Sequence, residues 1–218
     1  MASKLNIANA VAKKLSSLFM PVLLLLSTLL YGATQEDPLG AFFDGLNTLQ
    51  ADFQQQVVNE SGMILRQATG TVWIQRPGKF RWDYKTPYHQ LVLADGDRLW
   101  NYDEDLEQAT VKDVDAVLSS TPAMLLSGSE PITDVFLVTN TGKQNGFQWV
   151  ELEPKSKATS FERIRLGFAH KTLVRMEMRD LFGQVTRFEF SNMQRNHPLS
   201  PDLFIFSPPA GVDVFGMP

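Results

Sequence analysis

The stretch Thr71–Tyr84, TVWIQRPGKFRWDY, leaves the chain few ways to fold. It reads as two β-strands joined at a tight Arg76-Pro77-Gly78-Lys79 turn, because Pro presets φ and Gly accepts φ > 0. After the turn, Phe80, Trp82 and Tyr84 alternate with Lys79, Arg81, Asp83 and Lys85. That period of two puts three aromatic rings on one face and charges on the other. Before the turn, Val72 and Ile74 share a parity with Arg76, so an unbulged strand ends an apolar row in a guanidinium. Two readings fit: a strand pair on a filled core with Arg76 solvated at the turn, or an apolar cavity with one arginine at its rim. Parity alone does not say which strand faces line a cavity.

The same punctuation recurs along the chain. Strands are expected at Phe53–Val58, Met63–Gln75, His89–Ala94, Arg98–Tyr102, Leu106–Lys112, Val135–Thr139 and Phe147–Glu153. Phe161–Phe168, Leu173–Arg179 and Val185–Ser191 form a further meander, and a short piece at Phe204–Phe206 ends at Pro208-Pro209. Asp95-Gly96 is a strong hairpin signal. Helical pattern occurs at two places. Asp37 caps and Pro38 opens a helix expected over 38–50, with Leu39, Phe42, Phe43, Leu46 and Leu49 on one face. Val114–Ser127 holds one or two short helices, with Thr121 capping before Pro122.

This order predicts a mainly β (α+β) chain: a single curled antiparallel sheet of about 10–11 strands in one domain, not a βαβ fold. Such a sheet has one apolar concave face, and the two amphipathic segments are its only obvious covers.

Residues 1–33 read as a cleaved signal peptide, leaving 34–218 as the mature domain. Lys4, Lys13 and Lys14 form its basic end, Leu15–Leu30 its apolar run, and Gly32-Ala33 its small-residue site. Pro21 splits that run, and a membrane span needs about 20 apolar residues. Cleavage removes three lysines and no acids, moving the net charge from −4 to −7. Such a chain has no general attraction for nucleic acid or an anionic membrane surface. There is no cysteine, which excludes disulfides, thiolate metal sites, a thiol nucleophile and N-terminal lipidation on cysteine.

Nothing points to an enzyme, a cofactor or a metal. His89, His170 and His197 are isolated, without HxH or HExxH spacing. There is no nucleophile elbow, phosphate loop or dinucleotide fingerprint. Asp103, Asp105 and Glu107 start like a calcium loop but lack its central Gly and its final Glu, so they read as a solvated turn. The unusual content is 15 Phe, 4 Trp and 8 Met, which enrich cores and adaptable apolar pockets alike.

GTVWIQRPGKFRWDY, then LVLADGDRLWNYDEDLEQAT, then TPAMLL, then FSPPAGV, resemble in order the outer-membrane lipoprotein carrier protein (LolA) family. The likeness runs from about Phe53 to Val212. It implies an incomplete barrel with a helical lid over an apolar cavity, in a monomeric periplasmic chaperone. Its partners would be acylated lipoproteins as cargo, an inner-membrane ABC transporter that releases them, and an outer-membrane receptor that takes them. That receptor is itself a lipoprotein, which a chain without cysteine is not. By resemblance, Arg76 latches the lid; Phe80, Trp82 and Tyr84 belong to the cavity or transfer face; Leu39, Phe43, Leu46, Met124 and Leu126 belong to the lid helices. The physical problem is the acyl chain. At about 0.8 kcal/mol per CH₂, three chains of about fifteen methylenes cost roughly 36 kcal/mol gross to expose to water. The alternative is a periplasmic binder of another lipid, with a glycolipid or polyketide-type tail, on the same fold.

Overall fold

A computed structural model of the chain describes residues 37–114, 122–128, 130–157 and 159–216, with backbone alone at 122–124. The proposed signal peptide, Thr121 and the side chain of Met124 therefore lie outside the described residues.

Helix α1 spans Pro38–Phe43. It is followed by β1 (Thr48–Val58), β2 (Ile64–Gln75), β3 (Lys79–Thr86), β4 (Gln90–Asp95), β5 (Arg98–Asp103) and β6 (Gln108–Asp113). Helices α2 (Pro122–Ser127) and α3 (Ile132–Val135) come next. Strands β7 (Phe136–Gln144), β8 (Phe147–Pro154), β9 (Phe161–Ala169), β10 (Thr172–Asp180) and β11 (Val185–Arg195) form the second run. A 3₁₀ turn at Pro201–Phe204 leads to β12 (Asp213–Phe215).

Among the described residues, twelve strands make one sheet, ordered β12-β6-β5-β4-β3-β2-β1-β11-β10-β9-β8-β7. Neighbours run antiparallel except β12, which runs parallel to β6. The sheet is not closed: β12 and β7 are its two edges. The expectation of ten or eleven strands omitted β12. The piece expected at Phe204–Phe206 is no strand; it begins in the 3₁₀ turn, and Phe206 packs against Trp100 and Tyr102, ring centroids 5.4 and 5.3 Å away.

The helix expected over 38–50 ends at Phe43, and the strand begins at Thr48. Asp44 caps α1 by donating its N–H to the Gly40 carbonyl, and Gly45 then takes φ +61°, a conformation that stops a helix. Leu46 therefore sits in the connecting loop and Leu49 on β1.

One face of the sheet carries the main core. Leu49, Phe53, Val72, Ile74, Phe80, Trp82, Leu152, Ile164, Leu166, Phe168, Phe188 and Phe190 are buried there, together with Leu39, Phe42, Leu125 and Leu126 from the helical segments. The sheet curls toward this face. Trp82 on β3 and Phe188 on β11 are three strand steps apart, about 14 Å in a flat sheet. Their ring centroids are 5.2 Å apart. Gly70 on β2 makes room: a Cβ there would meet the Phe53 ring at 2.7 and 2.8 Å and crowd the Asp83 carbonyl. The β2–β3 register shifts at this glycine.

Candidate functional site

The Arg76-Pro77-Gly78 turn is where the sheet meets the helices. Gly78 takes φ +78°, and its N–H donates to the Ser127 carbonyl at 2.8 Å. Arg76 donates from Nε (3.2 Å) and Nη2 (2.7 Å) to the Gly128 carbonyl. Helix ends leave carbonyls without intrahelical partners. The turn supplies donors to two of them at the end of α2. Arg76 is therefore not solvated at the turn. Its guanidinium also lies over the Phe43 ring, 5.1 Å from the centroid, and its backbone N–H donates to the Asn47 carbonyl at 2.8 Å. One side chain thus touches α1 and the end of α2 together. Burial of the guanidinium disfavours its charged form and lowers its pKa. An open depression lined by Phe43, Leu46, Arg76 and Gly128 marks this rim.

Inside, the aromatic parity of β3 faces the core. Phe80 and Trp82 are buried on the helix-bearing face, while Arg81 and Asp83 pair on the other side at 3.1 Å. Phe53 binds this row together, with centroids 5.1 Å from both Trp82 and Tyr84. Burial raises the pKa of the Tyr84 phenol, a rise that Arg66 partly offsets. The sheet contributes rings that were not singled out from sequence: Phe53, Phe168, Phe188 and Phe190. The Phe188-Glu189-Phe190 alternation carries the same period-two signal as β3.

The helical residues divide by role. Leu39 and Leu126 are buried in the core cluster, and Leu46 joins it from the loop. On α1, Phe42 is the fully buried ring, against Phe168 at 5.8 Å. Phe43 is half-buried beneath Arg76. Sequence reading missed a second arginine. Arg195, the last residue of β11, donates from Nη2 to the carbonyls of Phe42 (2.6 Å) and Asp44 (3.2 Å). Its guanidinium lies 5.4 Å from the Phe42 centroid.

Among the described residues there is no group of three side chains able to hold a metal ion, and no helix long and apolar enough to cross a membrane.

The chain is similar to curated relatives over most of its length. The model of the family described as outer membrane lipoprotein carrier protein LolA matches residues 44–207. The outer-membrane lipoprotein carrier protein of Nitrosospira multiformis is 47% identical over 203 residues, covering 92% of this chain and 98% of that protein. The protein of the same name from Methylococcus capsulatus is 45% identical over 182 residues, covering 84% and 88%. Among solved structures, an uncharacterized conserved protein from Thermus thermophilus aligns with a TM-score of 0.51 at 14% identity, covering 82% of this chain and 96% of that one, and shares the fold. Four sequence blocks in the family's order, an unclosed sheet with helices on its apolar face, and identities above 40% along most of the chain lead to one conclusion: the chain belongs to the outer-membrane lipoprotein carrier protein (LolA) family.

Proposed function

We propose that the helix-bearing face of the sheet is the acyl-chain compartment, and that α1 and α2 are the lid over it. As a family member the chain is a lipoprotein carrier, a chaperone and not an enzyme. The observation that carries the site assignment is Arg76: one guanidinium bonded to the end of α2 and stacked on α1, at the edge of an aromatic row. In the closed state the apolar residues of α1 and α2 seal against that row. Breaking the Arg76 bonds frees the end of α2 and uncovers Phe80, Trp82 and Tyr84 for acyl chains. Leu39, Phe43, Leu46 and Leu126 then line the opened edge.

The cycle needs two partners: an inner-membrane ABC transporter that loads the carrier, and an outer-membrane receptor that empties it. ATP-driven release upstream is required by the cost of lifting three chains from a bilayer, roughly 36 kcal/mol before the carrier compensates. The cavity must hold the chains loosely enough to hand them over. Residues 1–33 direct the chain to the periplasm and are removed, and the carrier acts as a monomer. Loading is tested with a synthetic lipopeptide whose acyl chains carry bromine. In a variant with Trp73, Trp100 and Trp149 changed to Phe, binding quenches Trp82 fluorescence. Full solubilisation of the lipopeptide without quenching places the chains elsewhere.

A further inference from the structure

The two arginines of the site hold different helices from different strands. Arg76, in the turn that follows β2, serves α2 through Gly128. Arg195 on β11 serves α1 through Phe42 and Asp44, with β1 lying between the two strands. At α1, Asn196 continues the work of Arg195. Its Oδ1 accepts from the backbone N–H of Asn47 (2.8 Å) and Thr48 (3.3 Å), and its Nδ2 donates to the Gly45 carbonyl at 2.8 Å. Its own N–H donates to the Thr48 carbonyl (2.8 Å), and the Thr48 hydroxyl donates to the His197 carbonyl (2.7 Å). The whole exit from α1, residues 42–48, is thus fastened to residues 195–197.

Among the described residues, the α2 end is fastened by the Gly78 N–H and the Arg76 side chain, and they offer the buried Ser127 hydroxyl no partner. Arg195 Nε is buried without a partner among the described residues, but its Nη2 reaches two carbonyls and its neighbours add the rest.

We propose that Arg195 is a positioning residue that keeps α1 docked while α2 swings, so that the lid opens on one side only. This rests on the assignment of α1 and α2 as the lid. α1 is a stationary wall whose buried Phe42 stays against Phe168 in both states, and the Arg76 contact with Phe43 is surrendered without releasing α1.

Hydrogen exchange read by mass spectrometry on the peptides 37–46 and 122–128 separates the two latches. In Arg76→Leu, exchange at 122–128 rises at least tenfold and exchange at 37–46 stays within twofold of the parent. In Arg195→Gln the pattern reverses, and Arg195→Lys, which keeps the charge but not the fork, falls between. Should Arg195→Gln not fold, Arg195→Lys decides, and exchange at 37–46 equal to the parent's in a folded Arg195 variant overturns the role of Arg195. Adding a triacylated lipopeptide to the parent protein raises exchange at 122–128 and leaves 37–46 unchanged. Equal acceleration of both peptides in Arg76→Leu, or release of 37–46 on loading, overturns the one-sided lid. A lipopeptide that does not bind counts against the carrier site instead, and the unloaded comparison still judges the latches.

Discussion

The Nη2 of Arg76 donates to the backbone carbonyl of Gly128 at 2.7 Å, tying the strand turn to the end of α2. The pair is only part-buried, and a carbonyl is a neutral acceptor. A charged donor bonded to such a group contributes about 1.5–3 kcal/mol, enough to bias the proposed lid without locking it.

Arg76→Leu keeps an apolar stem at the rim and removes both bonds. The variant is expected to load acyl chains and to cycle poorly. The measure is repeated transfer of a labelled lipoprotein from donor to acceptor membranes. Transfer at the parent rate over many rounds removes the latch role.

Trp82 lies among Phe53, Phe188 and Phe190, at 5.1, 5.2 and 6.4 Å between centroids. Trp82→Ala opens a hole there and is expected to destabilise the empty protein by about 3–5 kcal/mol. Chemical denaturation with and without bound lipopeptide checks this. Because acyl chains refill the hole, the loss shrinks in the loaded protein. An equal loss in both states puts Trp82 outside the compartment.

Gly70 gives a prediction independent of cargo. A Cβ at this position cannot coexist with the present Phe53 ring and Asp83 carbonyl. Gly70→Ala is expected to cost about 1–3 kcal/mol by overpacking. The denaturation midpoint reads it, and a neutral result contradicts the close approach of β2 to that ring.

Asp52 sets an acid limb. Its carboxylate accepts from Asn192 (2.8 Å) and Thr71 (3.0 Å), which with Lys85 hold its pKa below the ordinary carboxylate value against an opposing effect of burial. A depressed folded pKa contributes stability above the unfolded pKa and loses it as pH falls through the folded value. Stability should therefore decline below about pH 3.9. That decline should be shallower in Asp52→Ala, as read from melting temperature against pH.

The strand pairs and the apolar face were legible because period-two alternation and turn dipeptides are local signals. The family blocks added an expectation for Arg76, a latch role that the contacts with Gly128 and Phe43 support as a proposal. The end of α1 was not legible: Leu46 and Leu49 continue a helical spacing from Phe42, while Leu49 and Phe53 also fit a strand. Asp44-Gly45 decides between them only through the φ that Gly45 adopts. Arg195 was hidden for another reason. Its partners lie about 150 residues upstream, and it meets them only because β11 pairs with β1, Leu49 opposite Arg195. The strand β12 follows two prolines, is three residues long and pairs in parallel, none of which the local pattern announces.

The most direct measurement uses residues 34–218, purified without detergent and added to spheroplasts that are making a labelled outer-membrane lipoprotein. The label is expected to leave the membrane only when ATP is supplied, in a soluble one-to-one complex. No release, together with a different lipid found in the purified protein by mass spectrometry, would contradict the lipoprotein cargo.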